Sequence, residues 1–451
     1  MADVLLTHSN HVFSDRKQAR KMQPYPPLQT LIAAAQLRAC GYSVALYDVT
    51  LAGSPEAEFR EALAANRPRL VAVVEDNFNF LTKMCLTRNR ETAFRMCAIA
   101  RESGIPAAVN GSDSTDRSAA YLDAGFEMVL IGEVEPALED AARQIVRGEG
   151  PPLPRLVERR TPIAELDTLP DAAWDLVDIE RYRAAWQQAH GYFSLNLVSS
   201  RGCPYRCNWC AKPVFGSNYH FRSPERVAQE MLRVKNEFAP GHLWFSDDIF
   251  ALSPQWTRAF SEVVERIGAA LPFKMQSRCD LMTRDTVDAL ARAGCQEVWM
   301  GAESGSQRIL DAMDKGTRVE HIYKARENLR RHGIRACFFL QFGYPGETWQ
   351  DIESTIRMVR ETGPDDIGVS VAYPLPGTKF YDRVAAELGE KENWSDSDDL
   401  SMMFRGAYST DFYRELASAL HEEVRGGAPH WDRVRELERD SAKPALLWIS
   451  C

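Results

Sequence analysis

Short apolar segments alternate with helical segments along most of this 451-residue chain. In the first part, strand patterns occur at Val4 to Leu6, Val44 to Tyr47, Leu70 to Val74, Ala107 to Asn110 and Met128 to Ile131. A strand followed by a crossover helix and another strand is typical of a parallel sheet. We therefore expect residues 1–147 to form a doubly wound, Rossmann-like α/β domain.

Polar side chains follow several of these strands. Doubly wound sheets bind ligands beyond the carboxyl ends of their strands, where such side chains meet. We therefore expect a pocket at this edge of the sheet. Its candidate residues are Ser9, Asn77, Asn110, Gly111, Ser112, Gly132 and Glu133.

A second series of strands begins after a proline-rich segment at 148–190, which we interpret as a linker. Apolar strands are predicted near residues 195–198, 242–245, 273–276, 297–301, 336–342 and 367–372. Six strands spaced by roughly 30 residues fit a parallel βα barrel that lacks two of its eight units. We expect residues 191–385 to form this partial, TIM-like (βα)6 barrel and residues 386–451 to form a helical C-terminal extension.

Composition and charge exclude several classes of protein. Hydrophobic residues make up 45% of the chain, which is enough for two or three packed domains. Lys and Arg number 54 against 63 Asp and Glu, and this acidic balance argues against nucleic acid as a partner. The N-terminus lacks the charged and apolar regions of a signal peptide, and no apolar run is long enough to cross a membrane. We expect a cytoplasmic protein without a membrane partner.

Three cysteines occur within eight positions, directly after the first strand of the second series. The segment Cys203-Pro204-Tyr205-Arg206-Cys207-Asn208-Trp209-Cys210 has CxxxCxxC spacing. Three thiolates on one loop can hold three corners of a [4Fe-4S] cluster and leave one iron without a protein ligand. The alternatives are three buried cysteines or a structural zinc site, which requires a fourth ligand; the nearest candidate is His220.

This motif, at this position in a βα series, closely resembles the radical S-adenosylmethionine (SAM) superfamily. The resemblance implies that Cys203, Cys207 and Cys210 bind a [4Fe-4S] cluster and that SAM chelates its open iron. In that superfamily the reduced cluster cleaves SAM to methionine and a 5′-deoxyadenosyl radical. The other seven cysteines are interpreted as packing residues or free thiols.

The resemblance extends to the later strand ends of the barrel. It implies that Ser246, Asp247 and Asp248 receive the amino group of SAM, although acids at this position also cap helices. Arg278 is a candidate for the SAM carboxylate or for a surface ion pair. The remaining candidates are Trp209 beside the cluster, Glu303 and Ser304 for the ribose, and Gln341 and Gly343 for the adenine.

The N-terminal half contains, in this order, Tyr25-Pro26-Pro27-Leu28, Gly41-Tyr42-Ser43-Val44, Asp48, Asn110-Gly111-Ser112, Gly132-Glu133-Val134-Glu135 and Leu169-Pro170. This order is similar to that of radical SAM enzymes with a cobalamin-binding domain, close to the branch of the anaerobic magnesium-protoporphyrin cyclase and phosphinate methylases. The resemblance implies that the candidate pocket of the first domain holds cobalamin; the alternative is a scaffold that binds substrate or nothing. The loop after the first strand lacks the Asp-x-His-x-x-Gly signature, so His8 and His11 are either cobalt ligands or surface residues. Phe78 and Phe80 either stack on a macrocycle or cover the sheet end.

These patterns together predict a radical SAM enzyme that transfers a methyl group, with the help of cobalamin, to an unreactive carbon or phosphorus centre. Radical cyclisation or oxidation, and transfer of the 3-amino-3-carboxypropyl group of SAM, remain as alternatives. A corrinoid- or metal-sensing binding protein is the alternative without catalysis. The expected partners are a small-molecule substrate and an external electron donor of the flavodoxin or ferredoxin type.

Overall fold

The computed structural model describes residues 1–79, 82, 84 and 86–442; Phe80, Cys85 and Cys451 lie outside these residues. Within them, the first domain has a six-stranded parallel sheet in the order β2-β1-β3-β4-β5-β6. Its strands are β1 (Val4–Thr7), β2 (Val44–Leu46), β3 (Leu70–Val74), β4 (Ala107–Asn110), β5 (Met128–Gly132) and β6 (Leu156–Arg159). The doubly wound sheet predicted from the strand pattern is confirmed.

Helices cover both faces of this sheet, as a parallel sheet requires. All five residues of β3 are buried, and alternate ones enter two separate apolar clusters, one on each face. The helices are α1 (Arg16–Lys21), α2 (Leu28–Ala39), α3 (Pro55–Asn66), α4 (Thr87–Glu102), α5 (Ser112–Asp116), α6 (Ser118–Ala124) and α7 (Val134–Ala142).

The segment 148–190, predicted to be a linker, contains regular structure. It supplies β6 at the edge of the first sheet and helix α8 (Ile179–His190). Tyr182 and Trp186 on α8 are buried, and the Trp186 indole donates a hydrogen bond to the carbonyl of Pro24 at 2.6 Å. Helix α8 therefore joins the first domain to the second.

The second domain is a parallel sheet of six described strands in the order β14-β13-β12-β11-β10-β7. Strands β7 and β14 are its two edges, so the sheet does not close on itself within the described residues. The strands are β7 (Ser194–Leu197), β10 (His242–Phe245), β11 (Phe273–Ser277), β12 (Cys295–Glu303), β13 (Arg335–Phe342) and β14 (Asp366–Val371), and a small hairpin of β8 (Ser200–Arg201) and β9 (His220–Phe221) follows β7. The open partial barrel is confirmed.

A helix follows each of the longer strands on the outside of this barrel. Ser223 caps the first of them by accepting a hydrogen bond from the Arg226 amide, and Pro224 occupies its first position. The helices are α9 (Pro224–Phe238), α10 (Pro254–Ile267), α11 (Arg284–Ala293), α12 (Gln307–Ala312), α13 (Val319–Arg331), α14 (Trp349–Thr362), α15 (Lys379–Val384), α16 (Thr410–Val424) and α17 (Trp431–Ala442).

Residues 393–398 of the C-terminal extension, the C-terminal strap, run along the first domain. The Thr87 amide donates to the Trp394 carbonyl at 3.0 Å, and the Ser397 amide donates to Asp15 at 2.9 Å. The Arg90 guanidinium contacts both Asp113 and Asn393. The strap therefore forms hydrogen bonds to residues of the N-terminal domain that precede it in the chain by about 300 positions or more.

No helix in the described part of the chain is long and apolar enough to span a bilayer.

Candidate active site

The three motif cysteines lie on the loop between β8 and β9, at the carboxyl end of the barrel strands. Gly202 begins this loop with a φ of +78°, and a Cβ there would lie 2.0 Å from the Asn218 carbonyl oxygen. Only glycine permits this close crossing of the two ends of the loop. The Lys212 ammonium binds the carbonyl of Cys203 at 2.8 Å and that of Tyr205, which fixes the loop from inside.

Charged groups surround the cysteine loop. Burial raises the pKa of the Cys210 thiol to about 12; Lys212 opposes this effect and the Asp248 carboxylate adds to it. Burial also raises the pKa of the Cys203 thiol, which Lys212 lowers in turn. The Arg278 guanidinium lies 3.9 Å from the Cys207 sulfur. Cations next to thiols favour the thiolate form that binds metals.

The donor set fits an iron-sulfur cluster better than a zinc ion. The three cysteines form no disulfide. Among the described residues, no three His, Cys, Asp or Glu side chains converge closely enough to hold one metal ion. His220, the nearest candidate for a fourth zinc ligand, lies in the β8–β9 hairpin; its buried Nε2 has no hydrogen-bond partner among the described residues, but it does not converge with the cysteines. Thiolates of a cluster bind separate iron atoms and need not converge on one point, so the three residues fit three corners of a [4Fe-4S] cluster.

The polar residues after β10 differ in their partners. Asp247 is fully buried and accepts hydrogen bonds from the Ser199 amide and hydroxyl and from the Ser200 hydroxyl. Burial raises the pKa of Asp247 to about 6 despite these bonds. Ser246 donates to the Leu197 carbonyl at 3.1 Å. Asp247 and Ser246 therefore tie β10 to β7, whereas the partly exposed Asp248 lies beside the cysteine loop.

Arg278 lies between the cysteine loop and β11. Its guanidinium binds Asp280 at 3.0 Å and Thr317 at 2.8 Å, and it lies 3.7 Å from the centre of the Tyr205 ring. The alternative of a surface ion pair therefore does not describe it, because only 6% of its side chain is exposed. Arg278 forms a buried cationic group in contact with Cys207.

Glu303, the ribose candidate, ends β12 and forms a buried ion pair with Lys315 at 2.7 Å. Burial lowers the pKa of Lys315, but the Glu303 carboxylate outweighs this effect and the pKa is raised. The Lys315 ammonium also lies 5.8 Å from the centre of the Trp209 ring. Glu303 is therefore positioned by a cation that itself contacts the cysteine loop.

The remaining candidates of the barrel lie near these groups. Ser304 is buried and contacts Thr355. The Gly343 amide donates to Glu347 at 2.7 Å. Two of the barrel candidates have a buried polar atom without a partner among the described residues, the indole nitrogen of Trp209 and the side-chain oxygen of Gln341. Unpaired buried polar atoms are costly, so both favour a polar ligand at this edge of the sheet.

The candidate pocket of the first domain is a network of buried polar groups at the ends of β1, β3 and β4. The Ser9 amide donates to Glu75 at 3.3 Å. The Asn77 amide group donates to Asn110, and Asn110 donates to the carbonyls of Leu130 and Gly132. The side-chain oxygens of Asn77 and Ser112 are buried without a partner among the described residues.

The glycines of this network allow close approach of neighbouring groups. A Cβ at Gly111 would lie 2.7 Å from the Glu75 Cγ, and a Cβ at Gly132 would lie 2.0 Å from the Arg159 carbonyl oxygen. Gly132 also has a φ of +92°. The two unpaired oxygens at these strand ends fit a ligand with amide groups, such as the side chains of a corrin ring.

Glu133 takes part in a buried ion cluster that joins the two domains. Arg201, two residues before Cys203, contacts Glu133 and binds Glu135 at 2.7 Å; all three side chains are at most 3% exposed. The Gln29 amide group also donates to Glu135 at 2.7 Å. Burial raises the pKa of Glu133, and the Arg201 charge lowers it. We name Arg201, Glu133 and Glu135 the interdomain ion cluster.

The two histidines after β1 already have partners. His8 is 1% exposed, so it is not a surface residue; its Nε2 lies 3.0 Å from Asp48 and its Nδ1 accepts from the Asn10 amide at 3.3 Å. The His11 Nε2 lies 2.9 Å from the Ala52 carbonyl. Phe78 stacks on Phe215 with ring centres 5.2 Å apart, so it packs against the second domain.

Sequence reasoning missed Arg201, Lys212 and Lys315. Arg201 and Lys212 flank the cysteine motif directly, and a basic residue on either side of three thiols is a signal that the sequence contains. Lys315 lies twelve residues after Glu303. That spacing has no periodic signature, so only the fold brings these two charges together.

Comparisons with known proteins agree with this geometry. Residues 197–359 match the family model of the radical SAM superfamily. An uncharacterised methyltransferase of Pyrococcus horikoshii is 28% identical over 234 residues, which cover 51% of this chain and 50% of that protein. The anaerobic magnesium-protoporphyrin IX monomethyl ester cyclase of Rubrivivax gelatinosus is 24% identical over 416 residues, which cover 86% of this chain and 70% of the cyclase.

Two solved structures have a similar fold across both domains. The radical SAM methyltransferase TsrM of Kitasatospora setae, with cobalamin and a [4Fe-4S] cluster bound, matches with a TM-score of 0.70 at 20% identity, covering 86% of this chain and 75% of TsrM. The cobalamin-dependent SAM radical enzyme OxsB matches with a TM-score of 0.66 at 17% identity, covering 81% of this chain and 52% of OxsB. The match to the radical SAM family model therefore covers the cysteine motif and most of the barrel, and the likeness to TsrM and OxsB shows the same fold across both domains.

Proposed function

We propose that this protein is a radical SAM enzyme that transfers a methyl group to an unreactive carbon or phosphorus centre of a small molecule, with cobalamin in its first domain. The observation that supports the proposal best is the loop with Cys203, Cys207 and Cys210, which has CxxxCxxC spacing and lies at the carboxyl edge of an open parallel barrel. A three-cysteine cluster supplies an electron to the sulfonium of SAM, and cobalamin supplies a methyl carrier.

The residues of the chain have distinct roles in this proposal. The three cysteines hold the cluster, and Lys212 and Arg278 place positive charge beside their sulfurs. Asp248, whose charge acts on Cys210, is assigned to the amino group of SAM, and the unpaired side-chain oxygen of Gln341 is assigned to the adenine. These roles require that bound SAM and substrate exclude water from the site.

The cobalamin part of the proposal has its own support. TsrM and OxsB, which share this fold, were solved with cobalamin bound. In this chain the unpaired oxygens of Asn77 and Ser112 lie at strand ends of the first domain. Both nitrogens of His8 have partners, so we propose that cobalt receives no ligand from this histidine.

The cyclase relative supports a second candidate, radical cyclisation or oxidation without methyl transfer, because its similarity covers 86% of this chain. Transfer of the 3-amino-3-carboxypropyl group is a further alternative, with a different SAM-derived product. In each case we propose an external one-electron donor of the flavodoxin or ferredoxin type and a cytoplasmic location.

The test is to analyse the nucleosides that form when anaerobically reconstituted protein meets SAM and dithionite, with and without hydroxocobalamin. We expect 5′-deoxyadenosine, and S-adenosylhomocysteine only when cobalamin is present. Deoxyadenosine alone would favour the cyclase-type reaction, and 5′-methylthioadenosine would favour aminocarboxypropyl transfer.

Cys207→Ala provides the variant for this test, since it removes one of three cluster ligands. We expect it to lose both the visible absorbance of the cluster and all SAM cleavage. Cys337→Ala is the matched control, because Cys337 is a buried free cysteine at the amino end of β13, whereas the cysteine loop lies at the carboxyl ends of the strands. Formation of deoxyadenosine by Cys207→Ala would contradict the assignment of the cluster.

A further inference from the structure

On four of the six barrel strands the inward residues are less buried than the outward ones, whereas all four residues of β7 are buried. On β10 and β11 the partly exposed residues Trp244, Lys274 and Gln276 alternate with fully buried ones. Strands β12 and β14 show the same alternation. The buried set faces the helices, as the contact of Phe245 with Phe260 on α10 shows. Because a filled barrel buries the inward residues as completely as the outward ones, this barrel contains a lumen that solvent reaches.

Lys274 is the residue of β11 that faces this lumen. Its ammonium lies 5.6 Å from the centre of the Tyr25 ring and 5.8 Å from that of Trp244. Within the described part of the chain, no carboxylate lies within 4 Å of it. Burial lowers the pKa of Lys274, and the nearby Glu297 raises it.

Glu297, the acid that faces Lys274 across the β11–β12 register, already has two other partners. Arg335 forms an ion pair with it at 2.8 Å, and the Trp299 indole donates to it at 2.7 Å. Its charge is thus compensated by Arg335 rather than by Lys274. The ammonium of Lys274 therefore has no close anion among the residues that the structure describes.

Two aromatic pairs flank Lys274. Trp244 and Tyr25, with ring centres 4.8 Å apart, lie on the side of β10. Trp299 and Phe339, with ring centres 4.9 Å apart, lie on the side of β12 and β13. Aromatic faces of this kind bind flat, apolar ligands, and a half-buried ammonium binds an anion.

We propose that the barrel lumen is the substrate site and that it selects an aromatic or conjugated ring compound that bears a carboxylate, which Lys274 binds. This inference rests on the proposed function for the reaction itself. Lys274 lies three residues before the end of β11, which at about 3.3 Å per residue is a distance of about 10 Å. The carboxylate is therefore held inside the barrel, about 10 Å from the carboxyl ends of the strands, where the cysteine loop lies. The opposite end of the ring compound reaches these strand ends.

The test uses biphenyl-4-carboxylate, a rigid acid of suitable length, and its neutral analogue biphenyl-4-carboxamide. Binding to the reconstituted full-length protein is measured anaerobically by isothermal titration calorimetry. We expect Lys274→Met to raise the Kd of the acid about 10- to 100-fold and to leave that of the amide unchanged, since one charged hydrogen bond is removed. Lys274→Arg should keep the affinity within about threefold.

Lys324→Met is the matched control, because Lys324 is exposed on the outer helix α13. Equal affinity of wild type and Lys274→Met for the acid would overturn the inference, as would equal affinity of wild type for acid and amide. The same preparations are assayed for SAM cleavage. Cleavage without lysine-dependent binding rejects only the lumen site, whereas lysine-dependent binding without cleavage supports the site and rejects the proposed function.

Discussion

Replacing Arg201 by methionine should destabilise the protein in a manner that depends strongly on pH. Methionine keeps the apolar stem of Arg201 and removes its guanidinium, so Glu133 and Glu135 lose their shared cation. Both carboxylates are at most 3% exposed. Each keeps one donor, the Ile163 amide for Glu133 at 2.9 Å and the Gln29 amide group for Glu135 at 2.7 Å.

The magnitude follows from the simplest way in which the fold can relieve the unpaired charge, which is to bind a proton. The ordinary pKa of Glu133 is 4.5. Protonation at pH 7 then costs about 3.4 kcal/mol, at about 1.4 kcal/mol for each of the 2.5 pH units. At pH 5.5 the same step costs about 1.4 kcal/mol. We expect Arg201→Met to lose about 3 kcal/mol at pH 7, within the range for a broken buried ion pair.

The sign of the pH dependence is opposite to that of an ordinary salt-bridged acid. In the variant, the folded state binds a proton that the unfolded state lacks between pH 4.5 and the raised pKa of the carboxyl group. Stability relative to wild type must therefore fall as the pH rises through this window. The free energy of unfolding is measured from urea titrations at pH 5.5 and pH 7, monitored by tryptophan fluorescence.

Two further variants complete the measurement. Arg159→Met breaks a more exposed pair with Asp140 and should cost less than about 1 kcal/mol at either pH. Adding Glu133→Gln and Glu135→Gln to Arg201→Met should remove the pH dependence, because no buried charge remains. An equal loss for Arg201→Met at both pH values, or a loss below about 1 kcal/mol at pH 7, would refute the reasoning.

Two other buried positions give predictions of the same kind. Burial raises the pKa of Glu347 to about 8, so the free energy of unfolding of the wild type should fall as the pH rises from 6 to 8, by up to about 1.4 kcal/mol per pH unit. Glu347→Gln should abolish this slope in urea titrations, and an unchanged slope would contradict the prediction. Gly132→Ala places a Cβ 2.0 Å from the Arg159 carbonyl oxygen, whereas Gly104→Ala, also at positive φ, meets no atom within 4 Å. We expect Gly104→Ala to lower the free energy of unfolding by about 1–2 kcal/mol and Gly132→Ala to lower it clearly more, as measured by thermal unfolding. Equal losses would show that the backbone at Gly132 shifts freely.

The parallel strands were predictable because their apolar runs are continuous and bounded by polar loops. Strand β6 was missed since it lies at a sheet edge, and of its four residues only Val157 is buried. Helix α8 was missed because prolines precede it and because its apolar face is anchored by tertiary contacts such as that of Trp186 with Pro24. Edge position and partner contacts are properties of the fold, and a local pattern does not contain them.

The candidate site also combines features that the sequence predicts with features that only the fold determines. Spacing alone identified the three cysteines, because cluster chemistry fixes the ligands on one loop. The partners of Glu133 and Glu303 required the fold, since Arg201 and Lys315 meet them across 68 and 12 positions. Charge pairing over such distances leaves no periodic signal in a sequence.

The C-terminal strap has a consequence for the order in which the protein matures on the ribosome. The hydrogen bond between Arg90 and Asn393 cannot form until Asn393, 303 positions later in the chain, has been synthesised. At about 5–20 residues per second, translation separates the two residues by roughly 15–60 s. During this interval the nascent N-terminal domain exposes the surface that the strap later covers. Synthesis of the C-terminal strap therefore completes a domain whose own strands were made first.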